Sequence, residues 1–227
     1  MRDVNLMIGV PSQANWSAKN SASFALMLVH LAFPQKNYKH QFYFWNERGS
    51  ILPQLRQNLV DKALSGGATH LLMIDSDQTF PEYLPTEWLE ADYPVIAANV
   101  ATKSVPTWPT ARREGNGLAG VPVYSDVAKE RFEKIWRVGT GIMMLSREVL
   151  EAIPRPAFTP YWHKELDKYV YEDWVLCEHI ERAGFPIRVD NKLSLQVGHV
   201  GEFEFTHDHV AMSRRANAQA QSEKEAA

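Results

Sequence analysis

The sequence is poor in cysteine and has no long apolar segment, and both shortages restrict the class of protein. Cys177 is the single cysteine among 227 residues, which excludes an intrachain disulfide and a cysteine-rich zinc site. No apolar run approaches the ~20 residues that span a bilayer. The N-terminus also lacks the long apolar segment and the small-residue cleavage site of a secretory signal. We therefore expect a cytoplasmic protein without integral membrane association.

A large excess of charge of one sign is also absent. The chain has 24 Lys and Arg against 27 Asp and Glu, a net charge of -3. This balance disfavours a strong non-specific nucleic-acid binder and leaves a local basic patch open. No GxGxxG motif follows the first predicted strand, which argues against a Rossmann dehydrogenase. The remaining composition, 45% hydrophobic and 22% charged, is ordinary for one soluble globular domain.

Strand and helix patterns alternate in the first half of the chain. Pro11 is expected to end the first strand, Ser21 or Ser23 to cap the first helix, and Gly66-Gly67 to end the second. The predicted strands cover 4–10, 40–45, 69–75 and 93–100, and the predicted helices cover 21–32 and 52–64. This order predicts an α/β fold with a mostly parallel central sheet flanked by helices.

The second half is less regular. It has a long loop or irregular hairpin at 101–125 and an aromatic loop at 154–171. Between and after these we predict strands at 136–146, 185–190 and 193–200, and helices at 147–153 and 172–183. We expect a single domain over residues 1–212, with halves 1–100 and 101–212. The tail, residues 213–227, is expected to be a frayed helix or disordered.

The segment LLMIDSDQTF places two carboxylates at the end of a buried strand. In open α/β sheets, ligands bind outside the carboxyl ends of the strands. Asp75 and Asp77 point the same way on an extended chain, and their oxygens suit Mg²⁺ or Mn²⁺. The plainer alternative is a solvated turn with an Asp helix cap.

The segment YEDWVLCEHIERAGF begins a helix with two acids, Glu172 and Asp173. Acids in the first turn of a helix are stabilised by its dipole, which explains them without a function. The alternative is a general base held rigidly at a helix start.

Three histidines occur in GHVGEFEFTHDHV. His207 and His209 flank Asp208, whereas His199 lies between two glycines after a strand. A lone histidine is more often a satisfied polar residue than a ligand. His199 is nevertheless the best candidate for a third metal ligand beside the two aspartates.

Together, the apolar strand ending in DSD, the segment VGTGIMMLSREVLEAI, the ED pair on a helix and the late GH resemble GT-A fold glycosyltransferases. The resemblance covers about residues 4–205 and is closest to small family-2-like enzymes, including phage-encoded ones, which would act in the host cytoplasm. It implies a GT-A fold and a metal-dependent, inverting transfer from a nucleotide-diphosphate sugar, such as a UDP-hexose, to an acceptor hydroxyl. Residues 1–100 would form the donor half and 101–212 the acceptor half. The absence of a clear QxxRW after the ED pair argues against a processive polysaccharide synthase.

The resemblance also assigns roles to individual residues. Mn²⁺ or Mg²⁺ would bind Asp75, Asp77 and His199 against the donor diphosphate, and Asp173 would deprotonate the acceptor. The nucleotide-sugar site would consist of Val10, Pro11, Ser12, Arg56, Asn58, Asp75, Ser76 and Asp77. Gln57 departs from the Arg-Asn pair that many relatives carry at this point.

The acceptor side is expected around a basic and aromatic segment and a glycine-broken strand. Its predicted residues are Trp108, Arg112, Arg113, Gly139, Gly141 and Glu172. The two glycines allow close approach to a ligand, or form a bulge in a core strand. The segment 101–118 likewise has two interpretations: it borders the acceptor, or it is a solvated loop. Resemblance to phage enzymes suggests a hydroxymethylated pyrimidine in DNA as acceptor, and a saccharide or protein hydroxyl is the alternative.

Two other functions fit parts of the sequence. Residues 75–79 match DxDxT, the motif of haloacid-dehalogenase-type Mg²⁺-dependent phosphatases, but that motif normally sits on the first strand. A sugar- or nucleotide-binding module without turnover is the non-catalytic alternative.

Overall fold

The computed structural model describes residues 2–13, 15–35, 37–115, 117, 119–165, 167–201 and 204–225. The strands are β1 (Arg2–Ser12), β2 (Tyr38–Arg48), β3 (His70–Ile74), β4 (Gln78–Thr79), β5 (Val95–Ala97), β6 (Arg112–Arg113), β7 (Val121–Pro122), β8 (Phe132–Ile135), β9 (Ile142–Ser146), β10 (Tyr161–His163), β11 (Lys168–Val170), β12 (Ile187–Asp190), β13 (Gly198–Val200) and β14 (Glu204–Phe205). The helices are α1 (Ala18–Leu31), α2 (Leu52–Ser65), α3 (Leu84–Ala91), α4 (Arg147–Ala152), α5 (Glu172–Arg182), α6 (Asn191–Ser194) and α7 (His207–Glu225).

A seven-stranded sheet in the order β2-β1-β3-β9-β5-β12-β8 forms the centre of the molecule. The strands β2, β1, β3, β5 and β12 run in one direction, whereas β9 and β8 run antiparallel to their neighbours. The carboxyl ends of five strands therefore lie along one edge of the sheet. This confirms the predicted α/β fold with a mostly parallel central sheet.

Alternating side chains of β3 fill two hydrophobic cores, one on each face of the sheet. Leu71 and Met73 join the core that includes α2, α4 and α5, whereas Leu72 and Ile74 join the core that includes α1 and α3. All five residues of β3 are buried. A strand covered on both faces needs apolar residues at every position, which explains the continuous apolar run before Asp75.

Two boundaries near the N-terminus differ from the sequence prediction. The first strand does not stop at Pro11 but continues to Ser12. β3 pairs with β1 only as far as Gly9, so on that side β1 has a free edge where proline is tolerated. The first helix begins at Ala18, and its cap is Ser17, whose hydroxyl accepts from the Asn20 N–H.

The segment predicted as a strand at 193–200 is instead a short helix followed by a shorter strand. The Asp190 carboxylate accepts hydrogen bonds from the N–H groups of Lys192 and Leu193, which starts α6. The strand β13 then begins at Gly198. Likewise, the predicted strand at 136–146 begins only at Ile142, after both of its glycines.

Several elements were not predicted at all. The helix α3 buries Leu84, Trp88 and Leu89, and the strand β8 forms one end of the sheet. The aromatic segment 154–171 contains the hairpin β10–β11. The helix α7 runs from His207 to Glu225, so the boundary expected between the domain and its tail, at residues 212 and 213, lies inside a helix. Among the described residues, none of the helices combines the length and apolarity that crossing a membrane requires.

Candidate active site

The loop after β3 places Asp75 and Asp77 at the carboxyl edge of the sheet. The N–H of Asp75 donates to the carbonyl of Gly141 at 2.8 Å, which ties the loop to the start of β9. The N–H of Gln78 then closes a turn on the Asp75 carbonyl at 3.2 Å. Ser76 lies within this turn, between the two carboxylates. The loop is therefore fixed at both ends by backbone hydrogen bonds.

Arg56 of α2 links this loop to the start of α5. Its side chain is 4% exposed, and its Nη2 lies 3.1 Å from both carboxylate oxygens of Asp75. Its Nη1 donates to Glu172 Oε1 at 2.8 Å. One buried cation thus holds two acids from distant parts of the chain. Since both terminal nitrogens bind protein carboxylates, this geometry gives no support to the predicted contact between Arg56 and the nucleotide.

Asp77 faces His199 and Lys103. Its Oδ1 lies 3.4 Å from His199 Nε2, and its Oδ2 forms an ion pair with Lys103 Nζ. Burial acts to raise the pKa of Asp77, but the neighbouring side chains of His199 and Lys103 outweigh it and lower the pKa to about 2. Asp77 is therefore ionised throughout the neutral range.

His199 is oriented by the backbone. Its Nδ1 lies 2.8 Å from the carbonyl of Ala101 and must donate to it, so in the neutral ring Nε2 carries a lone pair. That lone pair faces the carboxylate of Asp77. Two electron-rich atoms 3.4 Å apart form a place for a cation or a proton.

These donors fit a divalent cation only in part. Among the described residues, no group of three His, Cys, Asp or Glu side chains is arranged to hold a metal ion. Asp77 and His199 converge, whereas Asp75 faces Arg56. Two protein ligands are enough for Mg²⁺ or Mn²⁺ when phosphate and water complete the shell. The predicted three-ligand site therefore stays a prediction, of which the structure brings two members together.

Asp173 lies in the first turn of α5, and its Oδ1 accepts from the Trp174 N–H at 2.8 Å. The positive end of the helix dipole favours the ionised form of Asp173. Burial raises the pKa to about 6, with Arg56 opposing and the negative charge of Glu172 adding to the rise. A carboxylate with this pKa is mostly ionised at neutral pH yet can hold a proton, as a general base must.

A cavity of about 680 Å³ opens beside Asp173. Its lining residues are Thr102, Thr110, Arg112, Gly117, Ala119, Lys168, Tyr169, Tyr171, Glu172, Asp173 and Trp174. Thr110 Oγ1 and Arg112 Nη1 are buried atoms without a hydrogen-bond partner in the described part of the chain. Aromatic walls with a few uncommitted polar groups are the usual lining of a small-molecule site.

The structure separates the residues predicted for the acceptor. Arg112 lines the cavity, whereas Arg113 pairs with Glu133. Trp108 is half-buried, and its backbone N–H donates to Thr102 Oγ1 at 3.0 Å. Both glycines pack against protein: a Cβ would lie 3.2 Å from the Thr110 side chain at Gly139, and 3.2 Å from the Gln78 amide at Gly141.

The residues predicted for the nucleotide lie at or near the end of β1. Val10, Pro11 and Ser12 are buried, and Ser12 Oγ donates to Asn46 Oδ1 at 2.6 Å. Asn58 donates to Glu47 Oε1 at 2.9 Å instead of extending into solvent. These residues therefore shape the end of β1 and its contact with β2 and α2.

Sequence reasoning missed several residues of the site. Lys103, which pairs with Asp77, lies in a loop whose basic residues were assigned to the acceptor. The aromatic wall formed by Tyr169, Tyr171 and Trp174 was visible only as an aromatic composition. Arg112, which lines the same cavity, lies about 60 residues earlier in the chain, and no local pattern predicts that these segments meet.

The mostly parallel sheet flanked by helices, with the carboxylate loop after β3 and the acidic start of α5, is of the GT-A type of α/β fold. The solved structure of A197 from STIV is similar, with a TM-score of 0.58 and 17% identity over 92% of each chain. S. aureus TarS 1-349 matches at a TM-score of 0.40 and 13% identity, over 83% of this chain and 58% of that one. HddC from Yersinia pseudotuberculosis matches at 0.34 and 12%, over 67% and 80%. Only the first value is high enough to support the fold assignment.

No family model matches the sequence. No curated protein matches it either.

Proposed function

We propose that this chain is a glycosyltransferase that moves a sugar from a nucleotide-diphosphate sugar, such as a UDP-hexose, to an acceptor hydroxyl with inversion. The observation that carries the proposal is the bridge from Arg56 to Asp75 and Glu172. It holds the loop that carries Asp77 next to the helix start that carries Asp173. A candidate donor site and a candidate base are thereby fixed at one edge of the sheet, beside the cavity.

Asp173 takes the proton of the acceptor hydroxyl as that oxygen attacks the anomeric carbon. The bond between this carbon and the donor phosphate oxygen breaks on the opposite face, and the diphosphate leaves with the electron pair. Lys103, at Asp77, places positive charge near the expected leaving group. Asp77 and His199 would hold Mn²⁺ or Mg²⁺, which when bound neutralises the charge that develops on the diphosphate.

The acceptor is proposed to enter the 680 Å³ cavity. The aromatic side chains suit a flat ring, and the cations Arg112 and Lys168 suit neighbouring phosphates, as in a hydroxymethylated pyrimidine turned out of DNA. A saccharide acceptor would stack on the same aromatic walls. The two classes differ in salt dependence, because phosphate contacts weaken steeply as salt rises and contacts to a neutral sugar do not.

Arg112→Ala should raise the acceptor KM about tenfold, because Arg112 lines the cavity and its Nη1 has no hydrogen-bond partner among the described residues. The neighbouring Arg113→Ala is the matched control, since Arg113 pairs with Glu133 and should leave KM within twofold. Steady-state kinetics at saturating donor measure both. Equal effects of the two substitutions would remove the cavity from the acceptor path.

The donor half is tested by thermal-shift screening of nucleotide sugars with and without Mn²⁺. A donor that binds only the folded state raises the melting temperature by mass action. Asp77→Ala should abolish the Mn²⁺-dependent part of the shift, whereas Asp126→Ala, in an exposed loop, should keep it. A full shift in Asp77→Ala, or in the wild type with EDTA, contradicts the metal assignment.

The phosphatase alternative loses its main support. Asp75 would be the nucleophile of the DxDxT motif, but both of its oxygens bind the buried Arg56. The motif also follows the third strand of the chain instead of the first. A binding module without turnover remains distinguishable, because it would show the donor shift but release no nucleoside diphosphate with any acceptor.

A further inference from the structure

The outer edge of β2 is a long strand edge without a bulge or a proline. β2 lies at one end of the sheet and pairs with β1 without a bulge over 11 residues, from Tyr38 to Arg48. No hydrogen bond from the described residues reaches its backbone on the outer side. The strand contains no proline, although proteins commonly protect such edges with proline, bulges or shortness. The strand at the other end of the sheet, β8, has only four residues.

We propose that this edge binds a second copy of the same chain, with the two β2 strands antiparallel about a twofold axis at Tyr43. Residues that lie directly opposite each other on antiparallel strands point their side chains to the same face of the sheet. About such a twofold axis, an odd-numbered residue can therefore oppose only an odd-numbered residue, and an even-numbered residue only an even-numbered one. Centred on Tyr43, this register places Lys39 opposite Glu47 of the second copy. It also places Phe42 opposite Phe44.

The charges select this register over its neighbours. Moving the axis to Phe42 would place Lys39 opposite Trp45, and moving it to Phe44 would place Glu47 opposite Gln41. Only the register at Tyr43 forms an opposite-charge pair, Lys39 with Glu47, and the symmetry forms this pair twice. Lys39 is exposed. Glu47 accepts hydrogen bonds from Trp45 and Asn58, which hold its carboxylate in place while lone pairs remain for a lysine.

The surface beside the edge fits the same partner. A groove of about 730 Å³ lies between the end of α1 and the first half of β2, with Phe33, Tyr38 and Phe42 in its lining. Phe44 is 39% exposed and points to the α1 face, where it contacts Phe24. In the proposed register, Phe44 of the second copy lies opposite Phe42, beside this groove. To pair equally well, a strand of an unrelated protein would need an acid opposite Lys39 and a base opposite Glu47. A second copy of this chain carries both by symmetry.

Charge reversal tests the pairing in solution. The wild type should sediment as a dimer at micromolar concentration. Lys39→Glu creates two like-charge pairs and should raise the dimer Kd about tenfold or more. The double variant Lys39→Glu with Glu47→Lys should restore it. Lys134→Glu, on the exposed edge strand β8, is the matched control and should leave the dimer intact. A monomeric wild type, or no rescue in the double variant, overturns the proposal.

Cysteine cross-linking tests the register itself. Tyr43→Cys faces its own copy across the axis, at the Cα separation of an antiparallel pair, which a disulfide can span. Mild oxidation should therefore give a covalent dimer. Gln41→Cys faces Trp45 and should stay uncross-linked, and the native Cys177 is buried. In a dimeric sample, cross-linking of Gln41→Cys without cross-linking of Tyr43→Cys contradicts the register. The charge variants test the edge independently of how well Tyr43→Cys folds.

Discussion

Replacing Asp173 with Asn should lower kcat by about 10²–10⁴-fold, the usual contribution of a general base. Asparagine keeps the size and shape of the side chain but cannot accept the proton of the acceptor hydroxyl. The donor affinity should stay within twofold, because Asp173 lines the cavity, whereas the proposed donor site lies at Asp77. Glu181→Gln, on the exposed side of the same helix, is the control and should keep wild-type kcat.

The pH profile distinguishes this role from a merely structural one. Burial raises the pKa of Asp173 to about 6, and the proposed mechanism requires the ionised form. The wild-type kcat/KM should therefore be level above pH 6 and fall tenfold for each pH unit below it. Asp173→Asn should lose this acidic limb. A near-wild-type kcat in the variant, or a product that retains the donor's anomeric configuration, would contradict the assignment.

The same pKa predicts the sign of the stability change. A carboxyl whose pKa is about 6 in the folded chain and 3.8 when unfolded binds its proton more tightly in the folded state. Its stabilising contribution is present below pH 3.8 and is lost as the pH rises through 6. At pH 7.5 the wild type carries the full cost of a buried charge, which Asn avoids. The Asn variant should thus melt at the same or a higher temperature, so loss of activity would not reflect unfolding.

The elements that the sequence predicts well are those whose burial is uniform. β3 is covered on both faces, so its apolar run marks it, and the acids after it must lie at the carboxyl edge of the sheet. The acidic start of α5 is equally local. The position of Asp75, Asp77 and Asp173 at one edge could therefore be predicted from patterns within about ten residues of each.

The remainder of the site depends on contacts between distant segments. Helical periodicity marks Arg56 as part of α2, but nothing in it reveals that the side chain turns inward to meet Asp75 and Glu172, 19 and 116 residues away. The raised pKa of Asp173 likewise depends on the folded chain. The helix dipole is a local effect that sequence reveals, whereas burial, which outweighs it here, is a property of the folded chain.

Replacing Arg56 with Met should lower the free energy of unfolding by about 3 kcal/mol, because it leaves the carboxylates of Asp75 and Glu172 without their shared cation. The estimate lies at the low end for buried pairs, since the side chains of Asp75 and Glu172 are 23% and 16% exposed. For a chain of this length the melting temperature should fall by about 6–12 °C. Arg155→Ala breaks the exposed pair with Asp61 on the same helix and should cost less than about 1 kcal/mol.

The effect of Arg56 on activity separates positioning from stability alone. Its positive charge lowers the pKa of Asp173, so its removal should move the acidic limb of kcat/KM above pH 6 in the fraction that stays folded. Arg56→Lys keeps the positive charge but lacks the two guanidinium nitrogens that reach Asp75 and Glu172 together. It should therefore return the acidic limb of kcat/KM close to its wild-type pH, while the melting temperature stays lowered. An unshifted limb in Arg56→Met at a temperature where the variant is folded would show that Arg56 supports the fold without setting the protonation of the base.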